Sequence, residues 1–307
     1  MRQFFCYNHQ GKADAYIQAL TTRGWRQIKD PGQALFILSD SDVLTRFKSL
    51  KEYHRRNIKI FLYPHAARPN IFWDFPDTRY AEFITAHFVA AEGHIEIMRA
   101  YGNPYPLEVV GWHLCPIHPF RPRTEIKRIV FAPIHPNNNG FLCKLDKELN
   151  QETFKRLQSL MTDTISLTVR HLHDLKQNGL WRAGGVEYIE GKPDLSCLEI
   201  DQADLVVGHQ TYPTLAVARG VPTLMMGEWH RPRWGGTEEK LSYVRSWEKY
   251  RDLLMYPLDI LAPAEADLPA LLNRAIQSDC DTADWRRRLI GEPFAPGRFV
   301  DALESFL

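Results

Sequence analysis

A polar turn between an apolar strand and a helix is the segment of this sequence best suited to chemistry. The run Gly208–Thr214 (Gly-His-Gln-Thr-Tyr-Pro-Thr) follows the apolar residues Leu205–Val207 and leads into an apolar helical stretch. It places an imidazole, an amide, two hydroxyls and a phenol beside the first turn of a helix. Free backbone N–H groups and the positive end of the helix dipole favour anions there. The turn therefore predicts an anion-binding site.

Helix capping is the alternative interpretation of the same turn. Thr211 and Thr214 would then only satisfy backbone groups, with Pro213 in the first helical turn. Capping explains one hydroxyl, but it does not explain the presence of His209 and Gln210 together. We therefore favour the functional interpretation.

A second polar loop, His-Pro-Asn-Asn-Asn-Gly at 135–140, follows another apolar run. Asparagine and glycine tolerate positive φ angles, so the loop could be a simple turn. Its asparagines, Asn137 and Asn138 among them, also offer amide donors to a diphosphate at the carboxyl end of a strand. Both interpretations stay open.

Candidate general bases follow the strands of the first half. His65 lies in Leu-Tyr-Pro-His-Ala-Ala-Arg-Pro, and a histidine with a pKa near ~6.5 suits proton abstraction at neutral pH. His9 is a competitor, since the nearby Gly11 would let a ligand approach the backbone. Asp74 is a third candidate. The alternative is that the histidines make structural hydrogen bonds and that Asp74 only holds its loop in place.

Apolar runs typical of strands alternate with helical stretches along the chain. This alternation predicts α/β architecture with parallel sheets covered on both faces. We expect strands at 2–7, 34–40, 58–64, 81–91, 107–112, 128–134, 164–172, 185–191, 204–208 and 223–226, and helices at 12–23, 43–56, 92–102, 150–160 and in the tail from 281.

A segment with three prolines, residues 115–127, interrupts the pattern and is interpreted as a linker. We expect a first domain at 1–118, a second at 119–280, and C-terminal helices at 281–307 that cross back to the first. Ligands of open α/β sheets bind outside the carboxyl ends of the strands, so we expect the site in the crevice between the two domains.

Composition narrows the class of protein. The 307 residues carry a formal net charge of +1, which gives no overall attraction to nucleic acid or anionic lipid. The five cysteines are scattered with no Cys-x-x-Cys pair, which favours reduced thiols in a cytoplasmic protein. No apolar segment is long enough to span a membrane, and the first residues do not resemble a signal peptide. The basic helix at 43–56 is expected to be a solvated face, with a polyanion or membrane contact as the alternative.

The layout resembles glycosyltransferases of the GT-B fold. The resemblance rests on Ile-Asp-Gln-Ala-Asp-Leu-Val-Val-Gly-His-Gln-Thr-Tyr-Pro-Thr at 200–214 followed by Ala-Arg-Gly-Val-Pro at 218–222, and more loosely on residues 55–250. The likeness is nearest to CDP-glycerol glycerophosphotransferase-like and sugar-nucleotide 2-epimerase-like members. It implies two Rossmann-like parallel-sheet domains facing a central cleft, with the donor in the second domain and the acceptor in the first.

The resemblance also implies roles for single residues. Phosphate contacts fall on His209, Gln210, Thr211 and Thr214 and on the loop residues His135, Asn137 and Asn138. Recognition of the base falls near Tyr188 and Glu190, and the general base near His65. Where many members have a glutamate early in the helix for the ribose, this chain has Thr214-Leu215-Ala216, so Glu228 would substitute. The Gly-Gly-x-x-Glu-Glu run of the epimerases is absent, which counts against epimerisation.

The resemblance implies transfer of a sugar from a nucleoside diphosphate donor to an unidentified glycan, polyol polymer or nucleic acid. The nucleotide-sugar would be a co-substrate, and no other cofactor is expected. We expect no Asp-x-Asp metal site between apolar strands and no zinc site, since no His/Cys cluster has zinc spacing, so metal-independent chemistry is favoured. The alternatives are transfer of a polyol phosphate from a CDP-linked donor, modification or binding of nucleic acid, and a nucleotide-binding module without activity. The sequence leaves the oligomeric state open.

Overall fold

The computed structural model describes residues 2–8, 11–40, 50–64, 78–100, 102–134, 144–171, 174–191, 198–209, 211–226, 256–260 and 267–307. Within this part, the chain forms two compact units. The first comprises residues 1–114 and 287–307, and the second comprises residues 115–286. Each unit is built around a parallel sheet.

The first sheet contains six strands among the described residues, in the order β2-β1-β3-β4-β5-β6. All of its pairings are parallel. The strands are β1 (Gln3–Cys6), β2 (Arg26–Gln27), β3 (Phe36–Asp40), β4 (Lys59–Tyr63), β5 (Ala86–Val89) and β6 (Leu107–Val109). The helices of this unit are α1 (Asp14–Thr22), α2 (Leu50–Arg55) and α3 (Glu92–Ala100), with α9 (Pro296–Ser305) near the end of the chain.

Aromatic side chains from four neighbouring strands form the core on one face of this sheet. Phe4 stacks on Phe36 with ring centroids 5.6 Å apart, and Phe61 stacks on Phe88 at the same distance. Phe36 and Phe61 meet edge to face at 5.5 Å, which joins the two pairs. Such pairs stabilise a core by more than their buried area alone. These ring contacts stabilise the pairing of the four apolar strands side by side.

The last helix, α9, closes the core of the first unit. Phe299 of α9 is fully buried and packs 4.9 Å from the ring of Tyr16 in α1. Polar contacts strengthen this arrangement, since the indole N–H of Trp25 donates to Glu304 at 3.0 Å. The segment 287–307 is therefore an integral part of the first unit.

The second sheet also contains six strands among the described residues, in the order β12-β11-β10-β7-β8-β9, again with parallel pairings. The strands are β7 (Arg128–Ala132), β8 (Ser166–His171), β9 (Glu187–Glu190), β10 (Leu205–Gly208), β11 (Thr223–Met226) and β12 (Asp259–Ile260). The helices are α4 (Lys144–Gln158), α5 (Leu198–Gln202), α6 (Thr211–Ala218) and α7 (Leu268–Gln277), and the chain returns to the first unit within α8 (Ala283–Leu289).

The proline-rich segment at 115–127 is fixed against the second unit. The backbone N–H of His118 donates to the carbonyl of Ala218, and that of Arg121 donates to the carbonyl of Gly220. Gly220 has a φ of 71°, and a Cβ there would lie 1.9 Å from the carbonyl oxygen of Pro119. Only glycine allows this approach.

The predicted α/β architecture is confirmed, but several boundaries differ. The strand expected at 81–91 is limited to Ala86–Val89, because a 3₁₀ helix occupies Thr78–Phe83. Helix α4 begins at Lys144, six residues before the predicted start. Of the basic helix expected at 43–56, the described part is Leu50–Arg55.

Every helix in the described part of the chain is too short or too polar to cross a lipid bilayer.

Among the described residues of the first unit, His87 and His94 are buried. His87 of β5 has no exposed surface, and neither of its ring nitrogens has a hydrogen-bond partner within the described residues. His94 of α3 donates its Nε2 proton to the carbonyl of Leu289 at 2.8 Å. Burial, together with the charge of His94, lowers the pKa of His87 to about 3. Burial lowers the pKa of His94 to about 4. Both rings are therefore neutral at pH 7.

This burial predicts that the first unit loses stability in mild acid. Below pH ~6.5 the unfolded chain binds a proton at His87 that the folded chain does not bind, so stability falls as the pH decreases. Between pH 7.5 and 5.5 one such histidine accounts for about 1.4 kcal/mol. Replacing His87 with Leu should remove this part of the pH dependence. Native-state hydrogen exchange of the β5 amides at the two pH values measures it.

His94→Leu is the matched comparison, because it removes a similar titration together with the bond to Leu289. It should lower stability at pH 7.5, whereas His87→Leu should not, since two unpartnered buried polar atoms disappear. A wild-type pH dependence in His87→Leu would show that this ring does not control the acid response.

Candidate functional site

The order of strands in the second sheet marks the candidate site. From β7 the chain proceeds to β8 and β9 on one side and to β10, β11 and β12 on the other. The connections that leave β7 and β10 therefore diverge over opposite faces of the sheet. A crevice opens at such a reversal, outside the carboxyl ends of the strands, and ligands of open α/β sheets bind there. The two polar loops singled out in the sequence follow these two strands.

Gly208 brings the ends of β10 and β7 close together. A Cβ on this residue would lie 2.9 Å from the carbonyl oxygen of Ala132 and 3.0 Å from its Cβ. Pro213, in the first turn of α6, would be 3.5 Å away. Because glycine has no Cβ, the end of β10 can lie in close contact with the end of β7 at the point where the polar turn starts.

His209 connects the turn to the next strand. Its side chain is buried, and its Nδ1 lies 3.2 Å from the carbonyl oxygen of Met226, so this nitrogen donates the proton. The bond joins the end of β10 to the end of β11. The sequence predicts a ligand-binding role for His209, and the geometry adds a positioning role to it.

The two hydroxyls of the turn differ in exposure. Helix α6 begins at Thr211, which is partly exposed, whereas Thr214 has no exposed surface and is enclosed with the rest of the helix. The first turn of a helix presents backbone N–H groups without intrahelical partners, and Pro213 supplies none. Of the two predicted phosphate contacts, Thr211 is therefore the hydroxyl at the accessible end of the helix.

A buried asparagine fixes the base of the loop that follows β7. Asn150 of α4 accepts a hydrogen bond from the N–H of Ile134 at 2.8 Å and donates to the carbonyls of Ile134 and Asn178, also at 2.8 Å. Asn178 itself donates to the carbonyl of Ile134 at 3.2 Å. Both backbone groups of Ile134 are thus held just before the candidate loop at 135–140.

Tyr188 and Glu190 lie in β9 itself, at the edge of the sheet, rather than in a loop. The hydroxyl of Tyr188 donates to the carbonyl of Trp181 at 3.1 Å and accepts from the N–H of Ala183 at 2.8 Å. The guanidinium of Arg182 lies over its ring, 4.9 Å from the centroid. Tyr188 therefore holds the segment before β9, and β8 separates its strand from β7.

Eight other residues proposed from the sequence lie outside the described residues: His9, His65, Asp74, His135, Asn137, Asn138, Gln210 and Glu228. Among the residues that are described, no group of three or more His, Cys, Asp or Glu side chains could hold a metal ion.

The sequence analysis missed Arg170, the residue before the last of β8. Its side chain is buried at the carboxyl end of β8, and its Nε donates to Glu199 of α5 at 2.6 Å. Its guanidinium carbon lies 4.6 Å from the centre of the Tyr212 ring in the first turn of α6. An arginine closing the run Ser-Leu-Thr-Val-Arg was the available signal.

Asp40 was also missed. It is fully buried at the carboxyl end of β3, beside β1 at the reversal of strand order in the first sheet. Burial, followed by the charges of Asp40 and Asp14, raises the pKa of the nearby Cys6 thiol. Asp40 begins an Asp-Ser-Asp run, and its second carboxylate, Asp42, lies outside the described residues.

Solved structures with the same fold include three that span nearly the whole chain. A variant of the wall teichoic acid polymerase TagF is 10% identical with a TM-score of 0.58, and the match covers 99% of this chain and 88% of that one. MnaA of S. aureus, in a co-structure with UDP, is 10% identical with a TM-score of 0.55 and coverages of 100% and 97%. UDP-GlcNAc 2-epimerase from Neisseria meningitidis, bound to UDP-GlcNAc, is 11% identical with a TM-score of 0.51 and coverages of 99% and 100%.

These similarities confirm the predicted GT-B fold with its two Rossmann-like sheets. No model of a known protein family matches the sequence, and no curated protein matches it.

The hydrogen bonds of Asn150 predict that its replacement lowers the free energy of unfolding. Replacing Asn150 with Ala leaves the N–H of Ile134 buried without its partner and should cost about 2–4 kcal/mol of unfolding free energy. Gln151→Ala, one residue along the same helix, removes a single bond to the carbonyl of Gly179 and should cost about 0.5–1.5 kcal/mol. Urea unfolding followed by circular dichroism measures both. Equal losses in the two variants would contradict the special role of Asn150.

Proposed function

We propose that the chain is a glycosyltransferase that moves a sugar from a nucleoside diphosphate donor to an acceptor. The donor would bind the second unit at the first turn of α6. The observation that carries the proposal is the position of that turn, with Thr211 partly exposed, at the reversal of strand order between β7 and β10. The solved structures of MnaA with UDP and of the Neisseria epimerase with UDP-GlcNAc share this fold and support a uridine nucleotide as the first ligand to test.

Transfer requires stabilisation of the charge on the leaving diphosphate. The backbone N–H groups at the start of α6 and the hydroxyl of Thr211 are fixed by the packing of a buried helix, so they need not reorganise as charge develops. His209, held on Met226, sets the direction in which the turn leaves β10. His135, Asn137 and Asn138 would contact the diphosphate from the loop after β7, whose base Asn150 holds.

The acceptor must also lose a proton, and we place this step in the first unit. His65 is the proposed base, with His9 and Asp74 as alternatives, since an imidazole near its ordinary pKa accepts a proton at neutral pH. We propose that no metal ion takes part, because the helix start and Thr211 meet the diphosphate charge. Activity that is lost in EDTA and restored by Mg²⁺ would instead implicate carboxylates such as those of the Asp40-Ser41-Asp42 run.

Polyol phosphate transfer from a CDP-linked donor is the second candidate, and the fold similarity to the wall teichoic acid polymerase TagF favours it. The two reactions differ in the mass of the product. Sugar transfer leaves the phosphorus content of the acceptor unchanged, whereas polyol phosphate transfer adds one phosphorus atom for each unit.

Replacing Thr211 with Val tests the phosphate contact. The variant should bind UDP about 10–150 times more weakly in calorimetry, because a hydrogen bond to a charged group contributes about 1.5–3 kcal/mol. Thr214→Val, which makes the same change three residues later at a buried position, should keep the wild-type affinity to within about twofold.

The wild-type protein is first screened for a thermal shift with UDP, GDP, CDP, CMP and dTDP, since a ligand of the folded state raises the melting temperature. Indifference to all five nucleotides would overturn the proposed function. Equal losses in Thr211→Val and Thr214→Val would overturn only the assignment to Thr211.

A further inference from the structure

The buried guanidinium of Arg170 lies against three segments at the carboxyl edge of the second sheet: α5, the first turn of α6, and the residue that follows β9. Arg170 extends from the end of β8, and its Nε donates to Glu199 of α5 at 2.6 Å. The guanidinium carbon lies 4.6 Å from the ring centre of Tyr212 in the first turn of α6. A Cβ on Gly191, the residue after β9, would lie 2.6 Å from that carbon and 2.7 Å from Nη1. The arginine head therefore occupies the space that any other side chain at position 191 would fill.

The charge of Arg170 is balanced within the protein. The carboxylate of Glu199 forms an ion pair with it, and both side chains are largely buried, with 8% and 15% of their surfaces exposed. A buried ion pair adds little net stability over apolar packing of the same volume, because desolvation offsets most of the attraction. The pair does fix geometry, since a planar guanidinium stacked on an aromatic ring allows few orientations.

The ring that Arg170 supports adjoins the candidate phosphate contact. Tyr212 is buried and directly follows Thr211, the partly exposed residue that begins α6. Because Tyr212 lies in the first turn of α6, displacement of its buried ring would shift that turn, and with it the Thr211 hydroxyl and the neighbouring backbone N–H groups. A small displacement of this kind weakens preorganised contacts to an anion.

We propose that Arg170 is a positioning residue that sets nucleotide affinity through Tyr212 and Thr211 without contacting the nucleotide. Glu199 orients the guanidinium, and Gly191 leaves it the room to lie on the ring. This inference rests on the proposed donor site at α6. It extends that site to a residue 41 positions before Thr211 in the sequence, whose charge is used for orientation rather than for binding the anion.

Gly191→Ala is the most selective test. The added methyl would displace the end of a flexible side chain rather than backbone, so it should move the guanidinium off Tyr212 and leave the fold in place. UDP affinity, measured by calorimetry, should fall roughly tenfold. Gly184→Ala is the matched control, because a Cβ at Gly184 meets no atom within 4 Å. It should bind UDP as the wild type does.

A double-mutant cycle with Arg170→Ala shows whether the effect passes through the arginine. Arg170→Ala alone should weaken UDP binding by a similar factor, and adding Gly191→Ala to it should change nothing further, because the clash has been removed. Arg170→Lys keeps the charge but not the planar stacking, so it should not restore affinity. It also takes the place of Arg170→Ala in the cycle should that variant fail to fold.

Affinity and melting temperature together separate positioning from general stability. Wild-type UDP affinity in Gly191→Ala, or additive losses in the double variant, would overturn the inference while leaving the proposed function intact. A lower melting temperature with unchanged affinity would likewise assign Arg170 a merely structural role. A wild-type protein that binds no nucleotide would overturn the proposed function, and this inference with it.

Discussion

Parallel pairing is the constraint on which the rest of this structure depends. A strand that pairs in parallel with its predecessor must start at the same edge of the sheet, so every connection crosses back over one face. All strand ends of one polarity therefore collect at a single edge. In the second unit, the reversal of order between β7 and β10 then divides the connections between the two faces. The location of the candidate site follows from topology before any side chain is considered.

The side chains at this edge carry out two separate tasks. Thr211 and the start of α6 present groups outward, whereas Asn150, His209 and Arg170 hold the backbone that presents them. The supporting groups are buried and polar, and each bonds to a different connection. In a site preorganised in this way, the donors are already ordered when the chain folds. Binding of an anion therefore does not carry the free-energy cost of ordering them.

The sequence predicted the architecture because buried parallel strands are short apolar runs, as in β3, β4 and β10. It did not predict β2, whose two residues are exposed and carry no apolar signal. Helix α7 was also missed, although Asp267 accepts a capping bond from the N–H of Ala270 and a proline follows in the first turn. The N-cap residue and the proline are the sequence features that indicate the start of this helix.

The polar segment 208–214 could be singled out from the sequence because its residue types are unusual, although Gly208 ends β10 and Thr211–Thr214 belong to α6 rather than to a turn. The residues that support it, Asn150 and Arg170, were not predicted, because their roles depend on partners that are distant in the sequence. Glu199 lies 29 residues after Arg170, and Ile134 lies 16 residues before Asn150. Periodicity and spacing report local structure, whereas such pairs exist only once the sheet has formed.

The division of the chain into an interrupted and a continuous unit has a consequence for its synthesis. Residues 115–286 are contiguous, so this part can fold on the ribosome as soon as it emerges. The other part has to wait for Phe299 and Glu304, which close its aromatic core and bind Trp25. The nascent chain would therefore hold an apolar sheet face uncovered until residues 299–304 have been synthesised, and that interval is when chaperones would be needed most.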